Sequence, residues 1–234
     1  MQTIIDIGNT KVKLARFEDR ELIALDVFET LADALGALGQ DENGVYASVR
    51  HLDEKEEQKI HALGLRPMNV QGKLPVQLDY QTIHTLGQDR IAGVIGARSR
   101  FRENEILVVD AGTCITYDLL LGNRFVGGAI SPGIHMRARA MNTFTGKLPM
   151  VDVGLESPEI GRNTEECLVS GAKWGAIFET EERIKRLTAQ YPELICVITG
   201  GDATAFESMI KNSIFAVPNL VLYGLNEIAL YDIE

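Results

Sequence analysis

Three short acidic stretches stand out by residue type and spacing. Asp6-Ile7-Gly8-Asn9-Thr10 follows an apolar run at the N-terminus, and Lys13 comes three residues later. Asp110-Ala111-Gly112-Thr113 follows a second apolar run, Glu105 to Val109. Gly87-Gln88-Asp89-Arg90 lies between them. In a turn, glycine lets the backbone approach a ligand or take positive φ. Exposed backbone N–H groups in such a turn can hold phosphate oxygens, and Thr and Asn add side-chain donors. A carboxylate repels phosphate directly but can reach it through Mg²⁺, which is held by one or two carboxylates with phosphate and water. Two such turns facing each other would clamp a triphosphate with a metal between them. Taken singly, each of the two turns at Asp6 and Asp110 is also what an ordinary hairpin turn looks like.

Other stretches carry the same ambiguity. Lys13 is in register with Lys11, so it reads either as a solvated strand face or as a cation beside a transferring phosphoryl group. Asp89 reads as a helix cap or dipole partner, or as a general base with Arg90 as an anion clamp. An arginine fork matches a carboxylate bidentately, which lysine does not. Thr199-Gly200-Gly201-Asp202 and Gly127-Gly128-Ala129-Ile130-Ser131-Pro132-Gly133 are two glycine-rich turns, the first suited to a flat ligand such as adenine. The four histidines, His51, His61, His84 and His135, have no metal-ligand spacing. There is no GxxxxGK[ST] loop, no GxGxxG at the first strand and no G-x-S-x-G elbow.

The elements that must position these residues repeat. The pattern predicts strands over 2–7, 11–18 and 21–28, then a helix over LADALGALG capped by Thr30 and ending on Gly39. It continues with a strand over 44–49, an exposed helix over HLDEKEEQKIHAL and a short strand near Pro67 to Val70. Residues 71–88 look irregular, and 89–103 read as a helix. The order then restarts: a strand over 105–110, CITYDLLL, a turn at Gly122-Asn123 and RFVGGAI. Pro132 suits the first turn of a helix through about Asn142. Residues 160–189 read as helical, LICVITG as a strand, IFAVP as a strand and 219–231 as the last helix. A matched motif in a matched three-strand context, about 104 residues apart, predicts two similar α/β domains. The expected domains are 1–104 with a linking helix, and 105–234 with a helical insertion at about 160–189.

Composition narrows the classes. A net charge of −10 opposes broad binding to nucleic acid. No apolar stretch approaches the ~20 residues of a membrane span, and the N-terminus reads as a strand with no secretory signal pattern. Cys114, Cys167 and Cys196 are few, odd in number and far apart, so they are expected to be small buried hydrophobes in a reducing cytoplasm.

The duplicated turn with the late Thr-Gly-Gly resembles the actin, sugar kinase and heat-shock ATPase superfamily. Over nearly its whole length the chain resembles type III pantothenate kinases. The motifs carrying this are D-I-G-N-T-x-x-K at 6–13, G-x-D-R at 87–90, D-A-G-T at 110–113, G-G-A-I-S-P-G at 127–133, T-G-G-D-A at 199–203 and Gly161-Arg162-Asn163-Thr164. The resemblance implies two ribonuclease H-like domains, each β-β-β-α-β-α-β, with an ATP cleft between them. It implies ATP-dependent phosphorylation of pantothenate to 4′-phosphopantothenate, the first step of coenzyme A synthesis, by a cytoplasmic homodimer with no nucleic-acid or membrane partner.

Residue by residue, the resemblance implies that Asp6 orients Mg²⁺ through water. Gly8, Asn9, Thr10, Lys13, Gly112 and Thr113 would hold the ATP phosphates, with Gly200 at the nucleotide. Asp89 would take the proton from the pantothenate hydroxyl. Gly87, Gln88, Arg90 and Tyr80 would bind pantothenate, with Thr164 reaching in from the partner subunit. Asp110 would bind a monovalent cation, K⁺ or NH₄⁺. Two other classes stay open: a regulatory protein that kept the fold without catalysis, opposed by Asp6, Asp89 and Asp110 together, and a sugar or acetate kinase, opposed by G-x-D-R.

Overall fold

A computed structural model describes residues 1–40, 42–69, 72–154, 158–210 and 214–231. By contacts the chain forms two compact units. The first takes Met1–Asn104, Asp118–Gly127 and Asn219–Glu234, and the second takes Glu105–Tyr117 and Gly128–Pro218.

The first unit is built on a five-stranded sheet. Its elements are β1 (Gln2–Ile7), β2 (Val12–Glu18), β3 (Glu21–Phe28), α1 (Leu31–Gly36), β4 (Gly44–Ser48), α2 (Glu54–Ala62) and β5 (Leu65–Pro67), with strand order β3-β2-β1-β4-β5. β1 runs antiparallel to β2 and parallel to β4. Central β1 is buried along nearly its whole length, as expected of a strand covered on both faces. On one face Ile5, Ile7, Val12 and Leu14 pack with Leu31 of α1 and Ile60 of α2. The other face carries α3 (Gln88–Arg100) and α7 (Leu220–Tyr231), which also pack on each other. Those two helices meet through glycine. A Cβ at Gly224 would lie 1.7 Å from the Ala92 carbonyl, and one at Gly96 would lie 2.3 Å from that of Leu220.

Local signals set the helix starts. Thr30 accepts from the Asp33 N–H, and Asp53 and Glu56 form a reciprocal capping box. The α1 helix stops at Gly36 instead of reaching Gly39, and the short strand expected near Pro67 to Val70 is Leu65–Pro67. Val70 and Gln71 lie outside the described residues. Within the stretch read as irregular, β6 (Gln77–Leu78) pairs in parallel with Arg124 and Phe125, and a 3-10 turn spans Ile83–Thr85.

The second unit centres on β7 (Glu105–Ala111). Its other elements are the start of β8 (Cys114–Leu121) and the end of β9 (Arg124–Pro132), whose residues 118–127 belong to the first unit, with α4 (Ile134–Thr143), α5 (Thr164–Gln190), β10 (Ile195–Thr199), α6 (Ala203–Met209) and β11 (Ile214–Ala216). The sheet order is β11-β10-β7-β8-β9-β6. Without β6 this is β9-β8-β7-β10-β11, the order of the first sheet. The parallel pairs β7/β10 and β10/β11 match β1/β4 and β4/β5. The repeat read from two short motifs is therefore a repeat of topology. The α5 helix buries Leu168, Ala172, Ala176, Ile177, Thr180 and Ile184, a 3–4 spacing that packs one stripe on the sheet.

Two local expectations fail. Pro132 ends β9 instead of opening a helix; α4 starts at Ile134 with Gly133 as its cap. Pro is tolerated at a strand end because it removes no interior ladder bond. Of the cysteines, only Cys196 is fully buried, which pushes its thiol up to about 12. Cys114 is partly covered and Cys167 is exposed on α5. Among the described residues no helix is long and apolar enough to cross a membrane.

Candidate active site

The first turn sits between the central antiparallel strands, with Asp6 opposite Lys13 in register. The Gly8 N–H donates to the Lys11 carbonyl at 3.0 Å, and a Cβ at Gly8 would press to 2.9 Å from that oxygen. Asn9 and Thr10 form the exposed tip. Burial raises the Asp6 carboxyl to about 6; Lys13 pulls it down and Asp89 pushes it up. Lys13 is half-buried rather than solvated. Its Nζ donates to Asn219 Oδ1 at 3.1 Å, and Asn219 holds a left-handed φ of 59° just before α7.

The start of α3 supplies the second group. Gly87 is the cap and makes no side-chain bond, so Asp89 lies inside the first turn rather than capping it. Burial raises the Asp89 carboxyl, with the Arg90 N–H and charge pulling the other way. Its Oδ1 accepts the Arg90 N–H at 2.9 Å. A Cβ at Gly87 would meet that same oxygen at 2.4 Å, which is the steric reason for glycine two residues before the acid. Gln88 turns elsewhere: its Oε1 accepts the Ser48 N–H at 3.2 Å and ties α3 to the end of β4.

Arg90 is 7% exposed. Its Nε and Nη2 donate to Asp118 Oδ1 at 2.8 and 2.5 Å. The rings of Tyr80 and Phe125 lie 5.9 and 5.8 Å from its Cζ, within cation–π range. Tyr80 also rests its ring against Gly127, which has φ of 103°.

In the second unit, the Gly112 N–H donates to the Cys114 carbonyl at 3.0 Å, a turn one residue shorter than that at Gly8. Gly200, with φ of 98°, backs onto Asp110. A Cβ there would lie 2.5 Å from Asp110 Oδ1 and 2.3 Å from the Ala111 carbonyl. Gly133 is wedged under the same turn, where a Cβ would meet the Gly112 carbonyl at 2.2 Å. At Gly112 itself a Cβ would find only ordinary contacts at 3.7 Å, so intrachain crowding does not explain that glycine. Thr113 is exposed. Burial raises the Asp202 carboxyl, and His135 lowers it.

The structure thus gathers Asp6, Lys13 and Asp89 into one electrostatic group, and sets Tyr80 against Arg90 in the same unit. Gly112 and Gly200 border Asp110 in the other unit. Thr164 stands at the exposed start of α5, after Asn163, which caps that helix by accepting the Glu166 N–H at 2.9 Å. Asp118 and Phe125 escaped the sequence reading. The available signal was a lone acid inside CITYDLLL: Tyr117 and Asp118 are consecutive buried residues, which breaks the alternation of β8. Among the described residues no group of three or more potential ligands forms a protein-only metal cage. A Mg²⁺ held by one carboxylate with phosphates and water needs none, and the raised Asp6 carboxyl is a group that a nearby cation would relieve.

Comparison with known proteins agrees. The family model described as type III pantothenate kinase matches residues 3–186. A type III pantothenate kinase of Phocaeicola vulgatus is 39% identical, covering 99% of each chain. Among solved structures, a Campylobacter jejuni protein assigned to the Baf family of transcriptional activators superposes with a TM-score of 0.66 at 19% identity, covering 99% of this chain and 98% of that one. An inorganic polyphosphate/ATP-glucomannokinase of Arthrobacter superposes with a TM-score of 0.51 at 14% identity, covering 99% and 100%. The two structures share the fold. With a family model over most of its length and a full-length relative at this identity, the chain belongs to the type III pantothenate kinase family.

Proposed function

We propose that this chain is a kinase that transfers the γ-phosphoryl group of ATP to the primary hydroxyl of pantothenate, giving 4′-phosphopantothenate at the first step of coenzyme A synthesis. The observation that carries this reading is Asp89: a half-buried carboxyl in the first turn of α3, raised in pKa, beside a fixed arginine and in the field of Asp6. A raised carboxyl is a better proton acceptor than an ordinary one, and phosphoryl transfer otherwise asks mainly for positioning and charge stabilisation. Asp89 accepts the hydroxyl proton as the bond to phosphorus forms. Arg90, Gly87 and Tyr80 orient pantothenate, and Gln88, its side chain held at the Ser48 N–H, contributes only through its backbone.

Gly8, Asn9, Thr10 and Lys13 hold phosphate oxygens, as do Gly112 and Thr113, with Gly200 at the nucleotide. Asp6 fits Mg²⁺, which when bound neutralises charge on the phosphates. Gly200 leaves open the space a Cβ would fill beside Asp110 Oδ1, which suits a monovalent cation, K⁺ or NH₄⁺. The enzyme works in the cytoplasm as a homodimer, with Thr164 completing the partner's pantothenate site. In the second unit Phe144, Ile160, Ile130 and Phe178 are exposed apolar surface that a partner subunit could cover. The test is ADP release with ATP, Mg²⁺ and K⁺ against pantothenate, acetate and hexoses. Release with pantothenate alone is expected; release with a hexose or acetate instead, or with none of them, would refute the reading.

A further inference from the structure

Arg90 and Asp118 lie 28 residues apart on different elements, yet both are buried, at 7% and 1% exposure. A buried charge persists only when it is paired and hydrogen-bonded. Here the pairing has a direction. Both bonds run from the Nε–Nη2 edge of the guanidinium to one oxygen, Asp118 Oδ1. A guanidinium is a rigid plane with five donors, so fixing that edge fixes the whole fork. Tyr80 and Phe125 add further restraint, since their ring centroids lie within 6 Å of Cζ. Asp118 is carried by β8, the strand after the second turn, whereas Arg90 stands one residue beyond Asp89 on α3.

Resting on the reading of the site given above, we infer that Asp118 is a positioning residue for pantothenate. It occupies the inner edge of Arg90, so that the outer edge, Nη1 and the second Nη2 proton, is presented to the substrate. Asp118 does not touch pantothenate; it acts through Arg90. A lysine at position 90 would lack the second edge, which accounts for an arginine in G-x-D-R.

The experiment compares wild type, Asp118→Asn and Asp118→Glu by steady-state kinetics and by ¹⁵N NMR of the arginine Nε–H groups. In wild type the Arg90 Nε–H exchanges slowly with solvent. In Asp118→Asn that protection falls, and KM for pantothenate rises about 10-fold or more while KM for ATP stays within about 2-fold, the pattern of a lost ground-state orientation. Asp118→Glu keeps the charge, so it retains protection and shows a smaller rise; it carries the same test should Asp118→Asn fail to fold. An unchanged pantothenate KM in folded Asp118→Glu and Asp118→Asn, or a pantothenate rise matched by ATP, would overturn the inference. Absence of pantothenate-dependent turnover in wild type would instead overturn the functional reading, while the Nε–H exchange would still decide whether Asp118 fixes Arg90.

Discussion

Burying the Asp6 carboxyl costs the nucleotide-free protein stability, and that cost is measurable. Burial, with help from Asp89, raises its pKa from 3.8 to about 6 despite Lys13. An acid whose folded pKa lies above its unfolded value binds more protons when folded. Stability is therefore highest below the unfolded pKa and falls as pH rises through the window from 3.8 to about 6. One pKa unit corresponds to about 1.4 kcal/mol, so the raised pKa costs about 3 kcal/mol near pH 7.5, where the carboxyl is ionised folded and unfolded, and about 1 kcal/mol near pH 4.5, where the folded protein keeps it protonated. Asp6→Asn removes the charge at nearly constant shape. In nucleotide-free, Mg²⁺-free buffer near pH 7.5 it should raise Tm by about 4–12 °C, taking about 2–4 °C per kcal/mol for a chain of this size and allowing for residual solvent screening. Near pH 4.5 the gain should shrink to about a third. The same variant should lose Mg²⁺-dependent ATP binding, a stability–function trade-off located on one atom pair. Thermal scans of both proteins across pH provide the assay. A variant less stable than wild type near pH 7.5, or a gain independent of pH, would show that Asp6 carries no such cost.

Three further outcomes follow from contacts. Gly87→Ala places a methyl 2.4 Å from Asp89 Oδ1, so turnover should fall about 10-fold or more with Tm nearly unchanged, as kinetics and a thermal scan will show. Gly224→Ala drives a Cβ to 1.7 Å from the Ala92 carbonyl and must separate α3 from α7; a loss of about 3 kcal/mol or more is expected in urea unfolding. Gly200→Ala combines a φ of 98° with contact on Asp110 and Ala111, so it should both destabilise the protein and weaken K⁺ or NH₄⁺ activation.

The fold was largely legible because its strongest signals are local. Apolar runs ending on Asp6 and Asp110, each followed by a glycine turn and two more strands, announced a repeat that the two sheet orders reproduce. Thr30 and Asp53 announced their helices through side-chain caps. What the sequence hid depends on distant partners. The fit of α3 on α7 joins glycines 128 residues apart, and nothing near either says so. Pro132 is equally at home at a helix start and a strand end, and only the wedging of Gly133 under the Gly112 carbonyl decides. At the site, Asp89 and Arg90 were visible as types in a motif, but Asp118 reads locally as one polar residue in an otherwise apolar strand. Its role appears only when Arg90 is found against it.

Proton acceptance by Asp89 during phosphoryl transfer to pantothenate is measured by following 4′-phosphopantothenate formation in wild type and Asp89→Asn under saturating ATP, Mg²⁺, K⁺ and pantothenate. Wild type should form product, and kcat should be lower by about 100-fold or more in the variant, with binding of ATP and pantothenate retained. Turnover by Asp89→Asn near the wild-type rate would contradict it.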